Sequence, residues 1–576
     1  MTGRTFRRQY LLYLPAFFLA LGLRLAHLGD LPLNDVEARL ALDALRIARG
    51  EDVTLSSHVA YTHLTALLFF VFGDSDGLAR FWPALAGVGL AVGAPLLFRR
   101  WLRPRPALIL SVLLAIEPGL VALSRQAGSP ILALTCLLLA VGFWLHRRQT
   151  WSGIFLALAL LSGPSLWHGL LGLTLAGLLF QFTALRPPAP AQTAEAKPPA
   201  PSPAHSPLRL ADFTPLILPT LAALFSLSTL MLMVPQGWGA WANSLPDYLR
   251  GWIAEGGAPV GRIGLALGVY PLLGLLFAGI AIVRGLLWGS RRTLFLALWA
   301  LAAMLVTLFY PSRQVADLAW ALLPLWTLAA CQLAHDLRLP SEGRWEAVGV
   351  ATLTVVLSAL AWLNFNALYW TPFPSEQATL RLILSIGVLL FLVALLVLIS
   401  LGWSKRVVQA GAIAGSSLML GLYTLGAAWG AAGLRDPGAV ELWHLAPPVA
   451  QARLVAQTAD QISEWTTGHA HRLPMVVYGV DSPALLWALR RHRPSAVSVL
   501  LPTSAPEMVL TPLQRELGLA AAYRGQDFAW RQSPIWEVFP SHVFRWLTYR
   551  HLPVTSEVII LWVRSDLMVD VQPSRP

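Results

Sequence analysis

LRLILSIGVLLFLVALLVLISLG, residues 380–402, carries a single charge, Arg381. As a helix rising about 1.5 Å per residue it is some 35 Å long, enough to cross the roughly 30 Å of hydrocarbon in a bilayer, and it is apolar on every face. It reads as a transmembrane helix. Outward from it the same pattern recurs near residues 10–27, 78–98, 106–123, 129–146, 151–164, 166–185, 212–234, 262–284, 293–310, 317–335, 347–368 and 407–431. With the opening stretch this makes about thirteen expected spans. The run at 151–164 is short, and Gly163-Pro164 divides it from the next. The composition agrees with the pattern: of 576 residues, 56% are hydrophobic and 12% charged, and the mean hydropathy is +0.60. Lipid, not water, is the solvent for most of this chain.

The formal charge of +12 does not point to nucleic acid, because the basic residues form no continuous patch with interleaved aromatics. They lie in short loops between apolar runs. Nearly all are arginines, Lys197 and Lys405 being the only lysines. Cys136 and Cys331 sit far apart in apolar segments and suggest neither a disulfide framework nor a cysteine metal site. The start of the chain, with Arg4, Arg7 and Arg8, runs into the apolar stretch 10–27 with no small-residue cleavage site after it. It reads as the first span, its N-terminus in the cytoplasm.

The positive-inside rule tests this orientation. If residues 61–73 lie on the membrane surface as an amphipathic helix, then Arg99, Arg100, Arg103, Arg105, Arg147, Arg148, Arg284, Arg291, Arg292, Arg338, Arg344, Lys405 and Arg406 all fall on the cytoplasmic side. The loops 28–77, 124–128, 235–261, 311–316 and 369–379 then lie outside, as does everything after the last span. The chain divides accordingly into an N-terminal membrane module (1–185), a Pro/Ala-rich cytoplasmic linker (186–211), a second membrane module (212–431) and a soluble domain (432–576). The linker contains PPAPAQTAEAKPPAPSPAHSP, residues 187–207, which cannot bury a core. In the last part MVVYGV (475–480), PALLWALRRH (483–492), SAVSVLL (495–501) and EVIILWV (557–563) alternate strand-like and helix-like runs. They predict a small extracytoplasmic α/β domain.

Ionisable groups concentrate in the first external loop, GDLPLNDVEARLALDALRIARGEDV, residues 29–53. Leu40, Leu42, Leu45 and Ile47 mark an amphipathic helix, with Asn34 or Asp35 as its N-cap. Acids in a first helical turn are common for dipole reasons. Beside a membrane, Asp35 and Glu37 are equally the residues to supply a general base or a metal ligand. Arg80, Arg125 and Arg313 (in YPSRQVAD, 310–317) stand at span ends, where arginines contact phosphate or snorkel to headgroups. His58 and His63 flank the expected surface helix. Trp241, with Trp238, Tyr248 and Trp252 in QGWGAWANSLPDYLRGWIAEGG (236–257), suits sugar stacking or an interfacial aromatic belt.

The order of LNDVEARLALDALRIARG (33–50), YTHLTALLFFVFG (61–73), DSDGLARFWPALAG (74–87) and SRQAGSP (124–130) after an apolar first helix resembles the C-type membrane glycosyltransferases. Within them it is most similar to the protein O-mannosyltransferase and aminoarabinose-transferase group. YGVDSPALLWALR (478–490) resembles the external domain of a prokaryotic subfamily named for association with flippase activity. The resemblance implies the GT-C fold in the cytoplasmic membrane and an inverting transfer at its outer face. The donor would be a polyprenyl-phosphate sugar and the acceptor a lipid, glycan or protein. An acid of the first loop would deprotonate the acceptor hydroxyl while basic residues, in some members with a divalent metal, hold the departing phosphate; no particular metal or other cofactor is implied. Two positions depart from the pattern. Val36 stands where such proteins have the first of two adjacent acids, with Asp35 one place earlier, and no acid follows Arg125 in SRQAGSP. They motivate the alternative of a catalytically degenerate relative that binds lipid-linked sugars or assists a flippase or glycosylation complex. A secondary transporter would need charges in paired broken spans near the midplane, whereas the few candidates, such as Glu117 and Asp317, are read as lying near span ends and forming no paired half-helices.

Overall fold

The computed structural model describes residues 10–184, 214–337 and 343–568, so the expected linker and Arg4, Arg7, Arg8 and Arg338 lie outside the described residues. Every stretch expected to span the membrane coincides with an apolar helix. Seven helices are long enough to cross: Phe81–Leu102, Ser165–Thr183, Arg291–Phe309, Val315–Asp336, Arg344–Trp370, Glu376–Gly402 and Lys405–Ala431. Two more expected spans are bent pairs, Pro104–Ile116 with Pro118–Ser124 at 61° and Val260–Val269 with Leu272–Leu287 at 84°. The remaining four fall on the shorter apolar helices Leu14–Leu25, Ile131–Leu145, Gln149–Leu160 and Thr214–Ser228.

The 61° bend has a local cause. Pro118 has no N–H to donate and Glu117 leaves the helical backbone, its carboxylate capping the second segment by accepting from the Leu120 N–H. Carbonyls at the end of the first segment are thereby left without helical partners. Arg24, wholly buried, supplies them: its guanidinium donates to the carbonyls of Leu114 and Ala115, each at 3.0 Å, and to Ser124 Oγ at 3.2 Å. Gly87 allows this approach, since a Cβ there would stand 2.0 Å from Ser124 Oγ.

Outside the spans, the helix Asp35–Ala48 starts in a capping box. Asn34 is the N-cap, its side chain accepting from the Glu37 N–H at 3.0 Å while Glu37 accepts from the Asn34 N–H at 3.2 Å. Asp35 is therefore the first helical residue. The run expected as an amphipathic surface helix is the helix Val59–Phe72; it buries Val59, Tyr61, Ala66 and Phe69 and exposes Leu67, Phe70, Val71 and Phe72, so it is apolar on its exposed face as well and not amphipathic.

The C-terminal part holds a five-stranded sheet: β1 (Met475–Tyr478), β2 (Ser495–Val497), β3 (Met508–Pro512), β4 (Tyr523–Pro534) and β5 (Val554–Arg564), in the order β2-β1-β3-β5-β4. The pairs β1–β2 and β1–β3 are parallel, and β3–β5 and β4–β5 antiparallel. Helices Ala452–Thr467 and Pro483–Ala488 accompany it. The sheet's buried Met508, Leu510, Phe528, Trp530, Ile559 and Leu561 form one cluster with Ala38, Ala41, Ala44 and Leu45 of the first external loop. The loop helix is thus part of this domain's core, and apolar burial at about 25 cal/mol per Å² joins the two ends of the chain.

Candidate active site between the first loop and the C-terminal domain

Glu37 and Arg80 form a bidentate ion pair, Arg80 Nε to Oε1 at 2.8 Å and Nη2 to Oε2 at 2.7 Å. Their side chains are 1% and 7% exposed. Arg80 also donates to the carbonyls of Leu31 (2.6 Å) and Pro32 (2.9 Å), and Glu37 accepts from the Ala127 N–H at 3.1 Å. With the capping bond from Asn34, both oxygens of Glu37 are doubly occupied. Arg125 closes the end of the first helix, donating to the carbonyls of Ala26 (2.8 Å), Arg24 (3.1 Å) and His27 (3.2 Å).

Asp35 turns the other way. Its Oδ1 accepts from Ser482 Oγ (2.5 Å) and the Ala484 N–H (3.0 Å), and its Oδ2 from Arg531 Nε (2.6 Å). Arg531 is held by Glu557 as well, at 3.2 Å. Asp35 is the polar latch between loop and domain, in a charge-assisted arrangement stronger than neutral hydrogen bonds. Replacing it with Ala is expected to raise amide exchange across both the Asp35–Ala48 helix and β4. Arg531→Ala should give the same pattern at similar amplitude; protection unchanged in both variants would show that the apolar core alone holds the junction.

Asp43 lies one helical face away, and burial pushes its carboxyl up to about 6 against partial relief from Arg46. A carboxyl raised in the folded state binds more protons there than when unfolded, so stability is lost as pH rises from about 4 through about 6. Asp43→Asn should remove this segment of the stability–pH curve and leave the variant the more stable one at neutral pH. A pair of melting curves at pH 4.5 and pH 7.5 checks it.

Two adjoining cavities lie where the spans meet the domain. The smaller, about 280 Å³, is lined by Asn34, Glu37, Arg80, Arg125 and Gln126. The larger, about 510 Å³, is lined by Glu255, Arg262, Arg313, Gln532 and Trp536. Pro437, Gly438, Ala439, Glu441, His444 and Pro448 line both, so this connecting segment is their shared wall. Glu441 is buried, accepts from the Tyr270 hydroxyl, and has Arg550 Nε at 3.9 Å. His444 presents its ring to the open space while protein surrounds it more widely, and desolvation holds its imidazole below the ordinary histidine range. Glu441 and Glu37 oppose that shift in part. Arg313 is oriented by carbonyls, its Nε donating to Ala258 at 3.0 Å, and Arg262 lies over the Trp536 ring at 4.8 Å.

The expected site residues therefore separate. Glu37, Arg80, Arg125 and Arg313 line the cavities, whereas Asp35, His58, His63 and Trp241 are not among the lining residues. His58 packs its ring on Gly163, where a Cβ would lie 2.8 Å from Cδ2; desolvation pushes its imidazole down to about 4. His63 donates from Nδ1 to the Leu227 carbonyl at 2.8 Å, and Trp241 stands beside Trp238 with ring centroids 5.0 Å apart. Glu441, His444 and Arg262 were not singled out by sequence. The visible signal was ELWHLAPP, residues 441–448, polar groups between the last span and the first strand. As for a metal here, among the described residues no three potential ligand atoms converge in these cavities; the one such group lies elsewhere in the C-terminal domain. The carboxylates of Glu37 and Glu441 already face cations and donors, so no step below passes through a metal.

No family model matches the chain, and a search of curated proteins finds no match. Among solved structures, ArnT from Cupriavidus metallidurans bound to undecaprenyl phosphate superposes with a TM-score of 0.52 at 14% identity, over 98% of this chain and 99% of that one. The chain folds like ArnT. The apo state of ArnT gives a TM-score of 0.53 at 14% identity, over 96% and 98%. An Archaeoglobus fulgidus oligosaccharyltransferase in complex with zinc and sulfate is more distant, with a TM-score of 0.40 at 12% identity over 87% and 68%. The likeness to ArnT covers nearly the whole chain, the C-terminal sheet included. It bears out the expected architecture of a helical membrane protein with a small C-terminal sheet.

Proposed function

We propose that this chain is a membrane glycosyltransferase of the lipid-linked-sugar class, taking its sugar from a polyprenyl-phosphate donor and passing it to a hydroxyl acceptor outside the cytoplasmic membrane. The observation that carries the reading is the pair of cavities at the junction of spans and domain, with arginines on both sides and one open imidazole in the shared wall. ArnT, captured with undecaprenyl phosphate, supports a polyprenyl phosphate as the class of ligand. The proposal keeps the thirteen spans, the cytoplasmic N-terminus, the external domain and the boundaries at 185, 211 and 431. It also keeps the flippase-associated grouping, for which the support is that Ser482 and Ala484 of YGVDSPALLWALR hold Asp35.

In this reading the acceptor oxygen attacks the anomeric carbon from the face opposite the phosphate. The new C–O bond forms as the bond to phosphate breaks, and the configuration inverts. His444, kept neutral by desolvation, takes the acceptor proton. Arg313 and Arg262 balance the charge growing on the phosphate. Glu37, saturated with donors, holds Arg80 in the cavity wall, and Asp35 positions the domain that closes it.

The saturation of both first-loop carboxylates favours a second reading, a degenerate relative that binds lipid-linked sugars without transfer. Purified protein in nanodiscs, offered a panel of radiolabelled polyprenyl-phosphate sugars beside His444→Ala, Glu37→Gln and Asp35→Asn, separates the two. Transfer or hydrolysis by wild type, lost in a folded His444→Ala, supports the enzyme. Donor binding without turnover, equal in all variants, supports the binding protein.

A further inference from the structure

We propose that Asp460, His471 and His492 form a zinc-type divalent metal site in the C-terminal domain, separate from the cavities above. Three segments distant from one another in the sheet domain converge on it: Asp460 from the helix Ala452–Thr467, His471 from the loop before β1, and His492 from the turn between Pro483–Ala488 and β2. A single carboxylate oxygen, Asp460 Oδ1, lies 2.8 Å from His492 Nε2 and 3.0 Å from His471 Nδ1. The two rings stand nearly perpendicular, at 81° with centroids 5.3 Å apart, so both nitrogens point at one locus and not along a shared stack.

These distances fit a small outward movement onto an ion. Zinc bonds to imidazole nitrogen and carboxylate oxygen are about 2.0–2.2 Å, which puts tetrahedral ligand atoms roughly 3.3–3.5 Å apart. A shift of about half an ångström at each contact accommodates the ion. Two imidazoles and one carboxylate select a borderline cation such as zinc over magnesium or calcium, which require an oxygen shell. The His492 side chain is 1% exposed and turns Nε2 to the locus, while Nδ1, on the far side of the ring, is buried without a hydrogen-bond partner. An imidazole in so dry a place, aimed at a carboxylate from a turn, is better accounted for as a ligand than as a solubilising group. Asp460 and His492 also line a cavity of about 520 Å³ between the domain and the first loop, facing Asp30, Asp74 and Asp76. Arg453, Arg490 and Arg491 share that lining, Arg490 paired with Asp74, so the cavity gives an ion a solvent route to the site through a wall of mixed charge.

The site would tie the Ala452–Thr467 helix to both parallel strands at the sheet's far edge, opposite the strands that meet the latch. The test uses the full-length protein in detergent, without a polyhistidine tag, stripped with chelator and titrated with zinc chloride. One zinc per chain is expected by calorimetry and metal analysis, with a rise in melting temperature. Cobalt(II) in its place should give the visible absorption of a tetrahedral site. Asp460→Asn and His471→Gln should each weaken zinc binding by at least about tenfold; the latter replaces a half-exposed loop residue and leaves the fold undisturbed. Absence of stoichiometric zinc in wild type, or wild-type zinc affinity in both variants, overturns the proposal.

Discussion

Glu37→Ala will destabilise the whole protein by about 3–5 kcal/mol, the range for breaking a buried ion pair from one side. The loss arises less from the missing attraction than from what remains: Arg80, 7% exposed, keeps a full charge in a dry wall with only carbonyls to solvate it. The Ala127 and Asn34 N–H groups lose their acceptor as well. Unfolding should begin at the start of the Asp35–Ala48 helix, since the capping box disappears with the side chain. The comparison that isolates the charge is the double variant Glu37→Ala, Arg80→Met, which removes both ions and should recover a large part of the loss. Thermal unfolding in detergent, followed by the tryptophans of the C-terminal domain, measures both; a single variant within about 1 kcal/mol of wild type would mean that water reaches the pair.

His444→Ala should lower kcat for sugar transfer by about 10²- to 10⁴-fold, the usual contribution of a positioned general base, with little change in KM for the donor. The pH profile carries the sharper signature. A base acts in its neutral form, and desolvation holds this imidazole below the ordinary histidine range, so kcat should climb on the acid side and reach its plateau at a lower pH than a free histidine would give. In His444→Ala that acid limb should vanish, leaving a flat residual rate. An unchanged limb in the variant would assign the titration to another group and remove His444 from the reaction.

The membrane architecture was legible in the sequence because its signal is long and redundant: each span needs some twenty apolar residues, and the arginine-bearing loops punctuate them. The breaks were less so. Pro118 is visible in the sequence, but the bend it makes is stabilised by Arg24, 91 positions before Ala115, and such a partner has no periodicity to betray it. Both acids of the first loop were found as chemically interesting, but the sequence left the N-cap between Asn34 and Asp35, and the directions of the acid side chains depended on Arg80 and Arg531. Strands β3 and β4 escaped notice because MVLTP is buried on both faces and so shows no alternation, and YRGQDFAWRQSP is interrupted by a register irregularity between Ala529 and Gln532. His444 was not singled out within the C-terminal domain because its surroundings are assembled from segments far apart in the chain.

The latch between Asp35 and Arg531 joins residues 496 positions apart, and this separation dictates an order of assembly. Asp35 leaves the ribosome 496 residues before its partner. Throughout the insertion of every intervening span, the loop helix carries an unanswered carboxylate and an uncovered strip of alanines and leucine. Closing so long a loop costs only slightly more entropy than closing a short one, so the delay is temporal more than energetic. The junction of loop and sheet therefore closes only after the intervening spans are made, and a nascent chain stopped short of β4 has its loop helix without the latch.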